Sequence, residues 1–257
     1  MANTVFDNKI IEAKAKDLLT TSINTRNLME VDNSLVAEAG MTKTINLYTY
    51  TGDAEELGAG QGNSNRGSIG YVGTDYTVKM VQQAFDYQDE DFMKDDTIVD
   101  NMLKGANQVM VNKMTSDFVA EIEKATLSVT LSGNIGYEAI VDAISELNVE
   151  DESGIFVVIP NAWKSHLRKD ADYKAARMGE VVYRGQVGSI CGIAVICTKA
   201  LTDKAFVMTK EAVKLFMKKD VEVEQERDAD TRTNSVYLRT AYVCALVDAT
   251  KICKISK

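Results

Sequence analysis

The sequence has very little of what most catalytic and metal sites are built from. Its 257 residues include one histidine, one proline and four cysteines. Catalytic triads and histidine-metal clusters commonly need an imidazole as base or ligand, so a single histidine nearly excludes both. That residue, His166, lies in the segment NAWKSHLRKD, which we interpret as a short helix after Pro160, and we assign it no chemistry.

The four cysteines have apolar, strand-like surroundings, and no two of them form a CxxC pair. They are Cys191, Cys197, Cys244 and Cys253. This setting favours buried small hydrophobic side chains over a zinc site or a redox dithiol. A bridge between Cys191 and Cys197 stays open, and we expect no cofactor and no metal.

Long apolar runs are missing as well. No stretch approaches the length of a membrane span, about eighteen apolar residues. The start of the chain, MANTVFDNKIIEAKAKD, lacks the basic and then apolar order of a signal peptide. We therefore expect no membrane partner and a cytoplasmic location.

The charge balance is acidic. The chain has 29 basic and 38 acidic residues, which gives a net charge of -9. This argues against a surface that neutralises many phosphates, and so against nucleic acid as a tightly held ligand, although an acidic wall facing nucleic acid is not excluded. With 45% apolar residues, a chain of this length can bury a large core in two subdomains.

Glycine is concentrated in one place. Seven of the sixteen glycines lie in the stretch GDAEELGAGQGNSNRGSIGYVG, residues 52–73. It separates the alternating segment KTINLYTYT from a second one that contains Tyr76, Val78 and Met80, and we predict that the two pair as a long hairpin with the glycines at its tip. So many glycines leave the tip little apolar surface to bury, so we expect it to need a partner surface.

As a phosphate-binding loop, the same stretch is a poor match. It has neither the lysine-serine ending of a P-loop nor the preceding strand and following helix of a dinucleotide-binding motif. Arg66 is its only basic residue.

The strongest periodic signal follows the hairpin. From Thr97 to Ala125, apolar side chains recur at steps of three and four: Val99, Leu103, Ala106, Met110, Met114, Phe118, Ile122 and Ala125. This predicts one long amphipathic helix. At about 1.5 Å per residue it would span roughly 40 Å, more than a core of this size needs. We interpret its methionines as packing residues and not as a cofactor site.

The N-terminal segment carries a weaker helical pattern. Phe6, Ile10 and Ile11 share one face with Leu18 and Leu19, and a polar, asparagine-rich stretch without period follows. We interpret the two together as an N-terminal arm that lies on something else. An ordinary first helix followed by a loop fits the pattern equally well.

The C-terminal half alternates between helix and strand. Residues 137–147 predict a helix, GIFVVIP a buried strand that ends at Pro160, and residues 193–197 and 205–208 two further strands. Thr209 is expected to cap a helix from Lys210 to Phe216. A long strand, SVYLRTAYVCALVDATKICKI, closes the chain inside this second subdomain. The whole predicts an α+β fold with strands of mixed direction.

One extended segment concentrates negative charge. VEVEQERDAD places five acidic residues on one side of a strand: Glu222, Glu224, Glu226, Asp228 and Asp230. Like charges on one face repel unless solvent, arginine or a divalent ion offsets them. We favour solvent exposure over a metal site, because hard-cation sites usually take their oxygen ligands from a curled loop.

Several segments in this order resemble one family. FVVIPNAWKSHLRKDAD resembles a buried strand, a turn and a tryptophan-bearing helix, although the turn here reads Pro160-Asn161. GQVGSICGIAVICTKAL, DKAFVMTKEAVKLFMKKDVEVE and NSVYLRTAYVCALVD, with Arg239, follow. Together with the arm, the glycine-tipped hairpin and the long helix, they resemble the major capsid proteins of tailed bacteriophages with the HK97 fold, and their relatives the encapsulin shells.

The resemblance implies an architecture with four parts. They are an N-terminal arm (1–38), an extended hairpin called the E-loop (39–92), a peripheral domain with the long "spine" helix (93–134 and 220–245), and a mixed-sheet axial domain (135–219 and 246–257). It also implies a non-enzymatic structural protein whose hexamers and pentamers tile an icosahedral shell around double-stranded DNA, without sequence-specific contact. Portal and scaffold proteins are the implied partners, although a longer precursor is an alternative to a separate scaffold. The location implied is the virion, assembled in the host cytoplasm.

Three groups of residues are the candidate subunit contacts. In the E-loop they are Arg66, Gly58, Gly60, Gly62, Gly67 and Gly70; the acidic partners are Asp89, Glu90, Asp91, Asp95 and Asp96; and the arm contributes Phe6, Ile10 and Ile11. Some members of the family join an E-loop lysine to a neighbour's asparagine, near Asn234 here. Residues 52–76 contain no lysine, so we expect a non-covalent shell.

Two alternatives remain open at this point. An encapsulin-type compartment would share the fold and enclose enzymes instead of DNA. An α/β-hydrolase-like or metal-dependent enzyme is the alternative of a different class, but the sequence lacks a GxSxG motif, a histidine cluster and a credible nucleophile-base pair.

Overall fold

The computed structural model describes residues 14–15, 25–36, 39–95, 97–150, 152–171, 189–190 and 192–257. Its helices are α1 (Asp89–Lys94), α2 (Ile98–Ile122), α3 (Tyr137–Leu147) and α4 (Lys164–Lys169). Its strands are β1 (Glu30–Asp32), β2 (Thr42–Thr51), β3 (Ser68–Thr77), β4 (Lys79–Gln88), β5 (Leu127–Thr130), β6 (Ile155–Pro160), β7 (Ser189–Ile190), β8 (Ile193–Thr198), β9 (Lys204–Thr209), β10 (Val213–Asp228), β11 (Thr233–Leu246) and β12 (Ile252–Ser256). Within these residues no helix is long and apolar enough to cross a membrane.

The strands form three sheets. One has the order β1-β10-β11-β4, a second the order β5-β12-β9-β6-β8-β7, and β2 and β3 pair by themselves. The six-stranded sheet combines parallel pairs, β5 with β12 and β6 with β8, with antiparallel ones. The predicted α+β class with strands of mixed direction is confirmed.

The long helix packs on the four-stranded sheet. The apolar stripe of α2 is buried at Leu103, Met110, Met114 and Phe118, in one cluster with side chains of β10 and β11 such as Leu238. Just before its start, the carboxylate of Asp95 accepts hydrogen bonds from the N–H and the hydroxyl of Thr97, the residue that precedes the helix. The helix predicted over Thr97 to Ala125 is therefore confirmed, with α2 spanning Ile98–Ile122.

The second core lies between α3 and the six-stranded sheet. Ile140 and Ala143 of α3 are fully buried beside Val157 and Ile159 of β6. The last strand, β12, is inserted between β5 and β9, and its Ile255 is also fully buried. The predictions of the helix and of the buried strand that ends at Pro160 are confirmed.

Two sets of secondary-structure predictions need a correction. The expected helix from Lys210 to Phe216 is wrong: a short 3-10 turn ends at Ala212, and Val213 begins the sixteen-residue strand β10. Val213 and Leu215 pair with residues of β11 and are fully buried, so long-range strand pairing overrides local helix propensity. The hydroxyl of Thr209 caps nothing; it is buried and has no hydrogen-bond partner among the described residues.

The second correction concerns the strand after the glycines and the one that closes the chain. Val78 separates the predicted strand after the glycines into two strands, β3 and β4. Its side chain is buried, and its N–H donates to the carbonyl of Met41 at 2.6 Å. Thus Tyr76 belongs to β3, but Met80 belongs to β4, which pairs with β11 instead of β2. The closing segment is also two strands, β11 and β12, which lie in different sheets.

Cys244 and Cys253 are buried and Cys197 is half-buried, with free thiols. Burial raises the pKa of the Cys244 thiol to about 12, so it is a packing residue at neutral pH. A bridge between Cys191 and Cys197 falls outside the described residues, since Cys191 is not among them.

Candidate assembly surfaces

The pair β2–β3, which we call the ribbon, projects from the body of the protein. Its strands are antiparallel in one register from Thr42 opposite Thr77 to Thr51 opposite Ser68. Only its base is anchored: Ile45 and Tyr76 pack against the cluster around Phe216, and the hydroxyl of Tyr76 donates to a backbone carbonyl of β11 at 2.9 Å. At about 3.4 Å per residue, ten residues span roughly 30 Å.

Both faces of the ribbon are apolar and exposed. On one face, which we call the tyrosine face, Tyr48 is opposite Tyr71 and Tyr50 is opposite Ile69. Their exposed fractions are 66%, 70%, 67% and 67%, in that order. The other face exposes Leu47 opposite Val72. A two-stranded sheet without a covered face is marginally stable in water, and exposed patches of this kind mark interaction sites.

The tip of the ribbon, residues 52–67, is ordered by hydrogen bonds within itself. The carboxylate of Glu55 accepts from the N–H of Ser64 at 2.8 Å, from its hydroxyl at 2.6 Å, and from the N–H of Asn65 at 3.1 Å. These hydrogen bonds lower the pKa of Glu55, the Ser64 hydroxyl contributing most. The side-chain amide of Asn65 donates to the carbonyl of Asp53 at 3.3 Å.

Glycines of the tip have conformational reasons to be there. The N–H of Gln61 donates to the carbonyl of Gly58, and Gly60 has φ +81° at the third position of that turn. A type II turn needs a positive φ there, which glycine adopts without strain. Where the strands join the tip, a Cβ on Gly52 would lie 2.6 Å from the Cα of Gly67, and a Cβ on Gly67 would clash with the ring of Tyr50.

The other candidate residues of the E-loop lie in the tip and in strand β3. Arg66 is exposed and forms no ion pair with the described residues. Gly62 lies in the tip with open space around it, and Gly70 belongs to strand β3. Since the glycines shape the loop itself, their contact with another subunit stays a prediction.

The candidate acidic partners lie together but are engaged within their own chain. Asp89 accepts from Arg227 at 2.7 Å and from the side-chain amide of Asn234 at 2.8 Å. These two hydrogen bonds, that of Asn234 first, hold the pKa of Asp89 below its usual range. Glu90 pairs with Arg232 at 2.9 Å.

The remaining acidic candidates differ in how firmly they are held. Asp91 has one long contact, 3.4 Å, to the exposed side chain of Lys94. Asp95 is held by the N–H and the hydroxyl of Thr97, and these hydrogen bonds, that of the hydroxyl first, lower its pKa. Asp96 lies outside the described residues. Asp91 is therefore the member of this cluster that is best able to accept a partner from outside.

The arm residues Phe6, Ile10 and Ile11 also lie outside the described residues. Nearby, Lys14 forms an ion pair with Asp100 at 2.9 Å, and Ala15 is fully buried in the core cluster that contains α2.

The acidic side of β10 is partly neutralised. Glu222 pairs with Lys219 and Glu224 with Arg239, both at 2.6 Å. Within the described part of the chain, no group of three potential ligand residues could hold a metal ion.

Some of this geometry was not predicted. The sequence analysis does not identify Tyr71 and Ile69, because they lie within the glycine-rich stretch. The alternation of side chains after Gly67 is the signal that would have placed them on a strand. The basic partners Arg227 and Arg232 are distant in sequence from Asp89 and Glu90, so no local pattern indicates those pairs.

Comparisons with known proteins agree with this architecture. A sequence model of the family described as "Phage capsid protein" matches residues 70–255. The major capsid protein of Staphylococcus phage phiMR11 is 27% identical over 245 residues, covering 89% of this chain and 85% of that protein. The capsid structure of cyanophage P-SCSP1u is similar with a TM-score of 0.76 at 11% identity, over 91% of this chain and 88% of that one. A virus-like particle from Pyrococcus furiosus is similar with a TM-score of 0.68 at 12% identity, over 98% of this chain and 100% of that one.

Proposed function

This chain belongs to the phage capsid protein family and is a phage major capsid protein with an HK97-like fold, and we propose that its copies close into an icosahedral shell around double-stranded DNA. The observation that supports the proposal best is the ribbon, which exposes apolar side chains on both faces and has only its base anchored. A surface of this kind is stable when a neighbour covers it.

Family membership implies a structural role and not an enzymatic one. The encapsulin alternative is not favoured, because the matching family and the related sequence are both phage capsid proteins. The structural likenesses are at 11% and 12% identity, so they support the fold alone.

The finer organisation is part of the same proposal. We propose an N-terminal arm over 1–38, an E-loop over 39–92, a peripheral domain over 93–134 and 220–245 with α2 as its spine helix, and an axial domain over 135–219 and 246–257. Hexamers and pentamers form the shell in the host cytoplasm with portal and scaffold proteins as partners. The DNA is enclosed without sequence-specific contact, as the net charge of -9 favours.

The occupant of the tyrosine face, in this proposal, is a second copy of the chain. The ribbon extends roughly 30 Å, which is long enough to reach over an adjacent subunit. Tyrosine suits such a contact, because its ring buries apolar area while its hydroxyl keeps a hydrogen-bond partner. Tyr48 and Tyr71 already lie side by side, with ring centroids 6.2 Å apart.

Arg66 is proposed to dock on the acidic cluster of that neighbour. Asp89, Glu90 and Asp95 have short contacts in their own subunit, whereas Asp91 has only the 3.4 Å contact to the exposed Lys94, so Asp91 is the expected contact within the cluster. An isolated exposed ion pair contributes little, but its repetition around a shell makes the sum significant.

Electron microscopy of the purified protein tests the proposed function. Closed particles of uniform diameter are the expected result. Small oligomers only, under all salt and concentration conditions, would contradict it.

A further inference from the structure

The tip of the ribbon is already folded in a single subunit. A glycine-rich segment that waits for a partner would show few internal hydrogen bonds, and this one shows a closed set. One carboxylate, that of Glu55, accepts three hydrogen bonds from Ser64 and Asn65 on the opposite side of the tip. The amide of Asn65 then donates back across the tip to the carbonyl of Asp53.

The far end of the tip is closed in the same way. The N–H of Gln61 donates to the carbonyl of Gly58, and the side-chain oxygen of Gln61 accepts from the N–H of Gly58. Each of these hydrogen bonds joins two residues of the tip, so the order is intrinsic to this segment.

We propose that Glu55 is a positioning residue of the assembly loop, tying the two sides of the tip together so that the loop meets a neighbouring subunit as a preformed unit. This inference rests on the proposed function, because it concerns how the loop docks on a neighbouring subunit during shell assembly. A loop that is ordered before it binds loses less conformational entropy on association. We therefore expect free subunits with an ordered tip to assemble faster than subunits with a disordered one.

Glu55 is distinguished from its neighbour by geometry alone. Glu56 has the same charge and exposure, but none of the hydrogen bonds within the tip involves it. Glu55→Ala removes both carboxylate oxygens, so nothing at this position can accept from Ser64 or Asn65. Glu56→Ala removes the same charge and the same side-chain atoms but leaves the tip's hydrogen bonds intact, so it is the matched control.

Limited trypsin digestion of the unassembled fraction, separated from shells by size exclusion, measures the order of the tip directly. Arg66 is the only lysine or arginine between Lys43 and Lys79, so cleavage there reports on the tip. Cleavage at Lys43, in β2, and at Lys79, in β4, reports on the base of the ribbon and the strand that follows it. Cleavage at Arg66 should be several-fold faster in Glu55→Ala than in the wild type or Glu56→Ala. Cleavage at Lys43 and Lys79 should be the same in all three.

Light scattering of the same proteins measures the functional consequence. Glu55→Ala should assemble several-fold more slowly and reach the wild-type shell diameter, while Glu56→Ala assembles at the wild-type rate. Equal cleavage at Arg66 in all three proteins would overturn the proposed tie. Faster cleavage with unchanged assembly rate would overturn its role in docking. A wild type that builds no shells overturns the proposed function instead, and the digestion still decides whether Glu55 orders the tip.

Discussion

Arg227 and Asp89 join the turn end of the β10–β11 hairpin to the start of α1, with 2.7 Å between a guanidinium nitrogen and a carboxylate oxygen. Asn234, which is opposite Arg227 in the hairpin, donates to the second oxygen of Asp89 at 2.8 Å. One residue from each strand of the hairpin therefore donates to the same carboxylate, that of Asp89. This contact offsets part of the repulsion within the acidic run that begins at Asp89.

The first prediction concerns pH. Hydrogen bonds from Asn234 and Arg227 lower the pKa of Asp89 in the folded protein, so its contribution to stability is complete above the unfolded-state pKa and is lost as pH falls through the lower folded pKa. Asp89→Asn should lower the melting temperature at pH 7 and reduce its dependence on pH in the acid range, from the usual carboxylate value of 3.8 downward. Asp86→Asn, an exposed change three residues earlier, is the control. Identical pH dependence in Asp89→Asn and wild type would contradict the assignment.

The second prediction separates folding from assembly. Replacing residues 53–66 by Asn-Gly leaves Gly52 and Gly67 to close the ribbon with a two-residue hairpin, without changing the register of β2 and β3. Both cores lie elsewhere, so circular dichroism and the melting transition should stay close to those of the wild type. Closed shells should not form, as judged by electron microscopy. Normal particles from this variant would show that the tip is dispensable.

How much could be predicted from sequence depends on whether a signal is local. The stripe from Val99 to Ile122 repeats within one helix, so α2 was predictable almost to its ends. β10 was not, because Val213 and Leu215 become strand residues through pairing with β11, which begins at Thr233. Glu55 shows the same limit at the candidate site. Its partners lie nine and ten residues along the chain in a stretch without periodicity, so only the folded loop brings them together.

The third prediction tests the tyrosine face. The double change Tyr48→Ser and Tyr71→Ser removes two exposed rings and leaves the core intact. If a neighbour covers them, each loss costs more than about 1 kcal/mol of association free energy, and for the two together the protein concentration needed for assembly rises by roughly thirtyfold or more. Sedimentation velocity over a concentration series measures this threshold. Tyr237→Ser, on strand β11, is the control; an unchanged threshold in the double variant would mean that the tyrosine face stays uncovered.

The fourth prediction concerns Arg66. Arg66→Glu places a negative charge where we propose a contact with carboxylates, so particles should dissociate more readily, and most clearly at low salt, where repulsion is least screened. Adding Asp91→Lys to the same chain should restore part of the stability by reversing the charge of the proposed partner. Thermal dissociation at two salt concentrations measures both effects. If Arg66→Glu particles are as stable as wild type at low salt, the contact is insignificant.

The last prediction is a shell without covalent links. Residues 52–76 contain no lysine, and Lys43 lies in the base of the ribbon, where its amine approaches the hydroxyl of Ser34 and the ring of Phe216. Asn234 is occupied as a donor to Asp89, which orients its amide within its own subunit. Apolar contacts and ion pairs must then hold neighbours together. Boiled particles on a denaturing gel should give one band near 28.3 kDa. A ladder of pentamer- and hexamer-sized bands that survives reductant would require a lysine-asparagine link from outside the tip, and mass spectrometry of those bands would identify it.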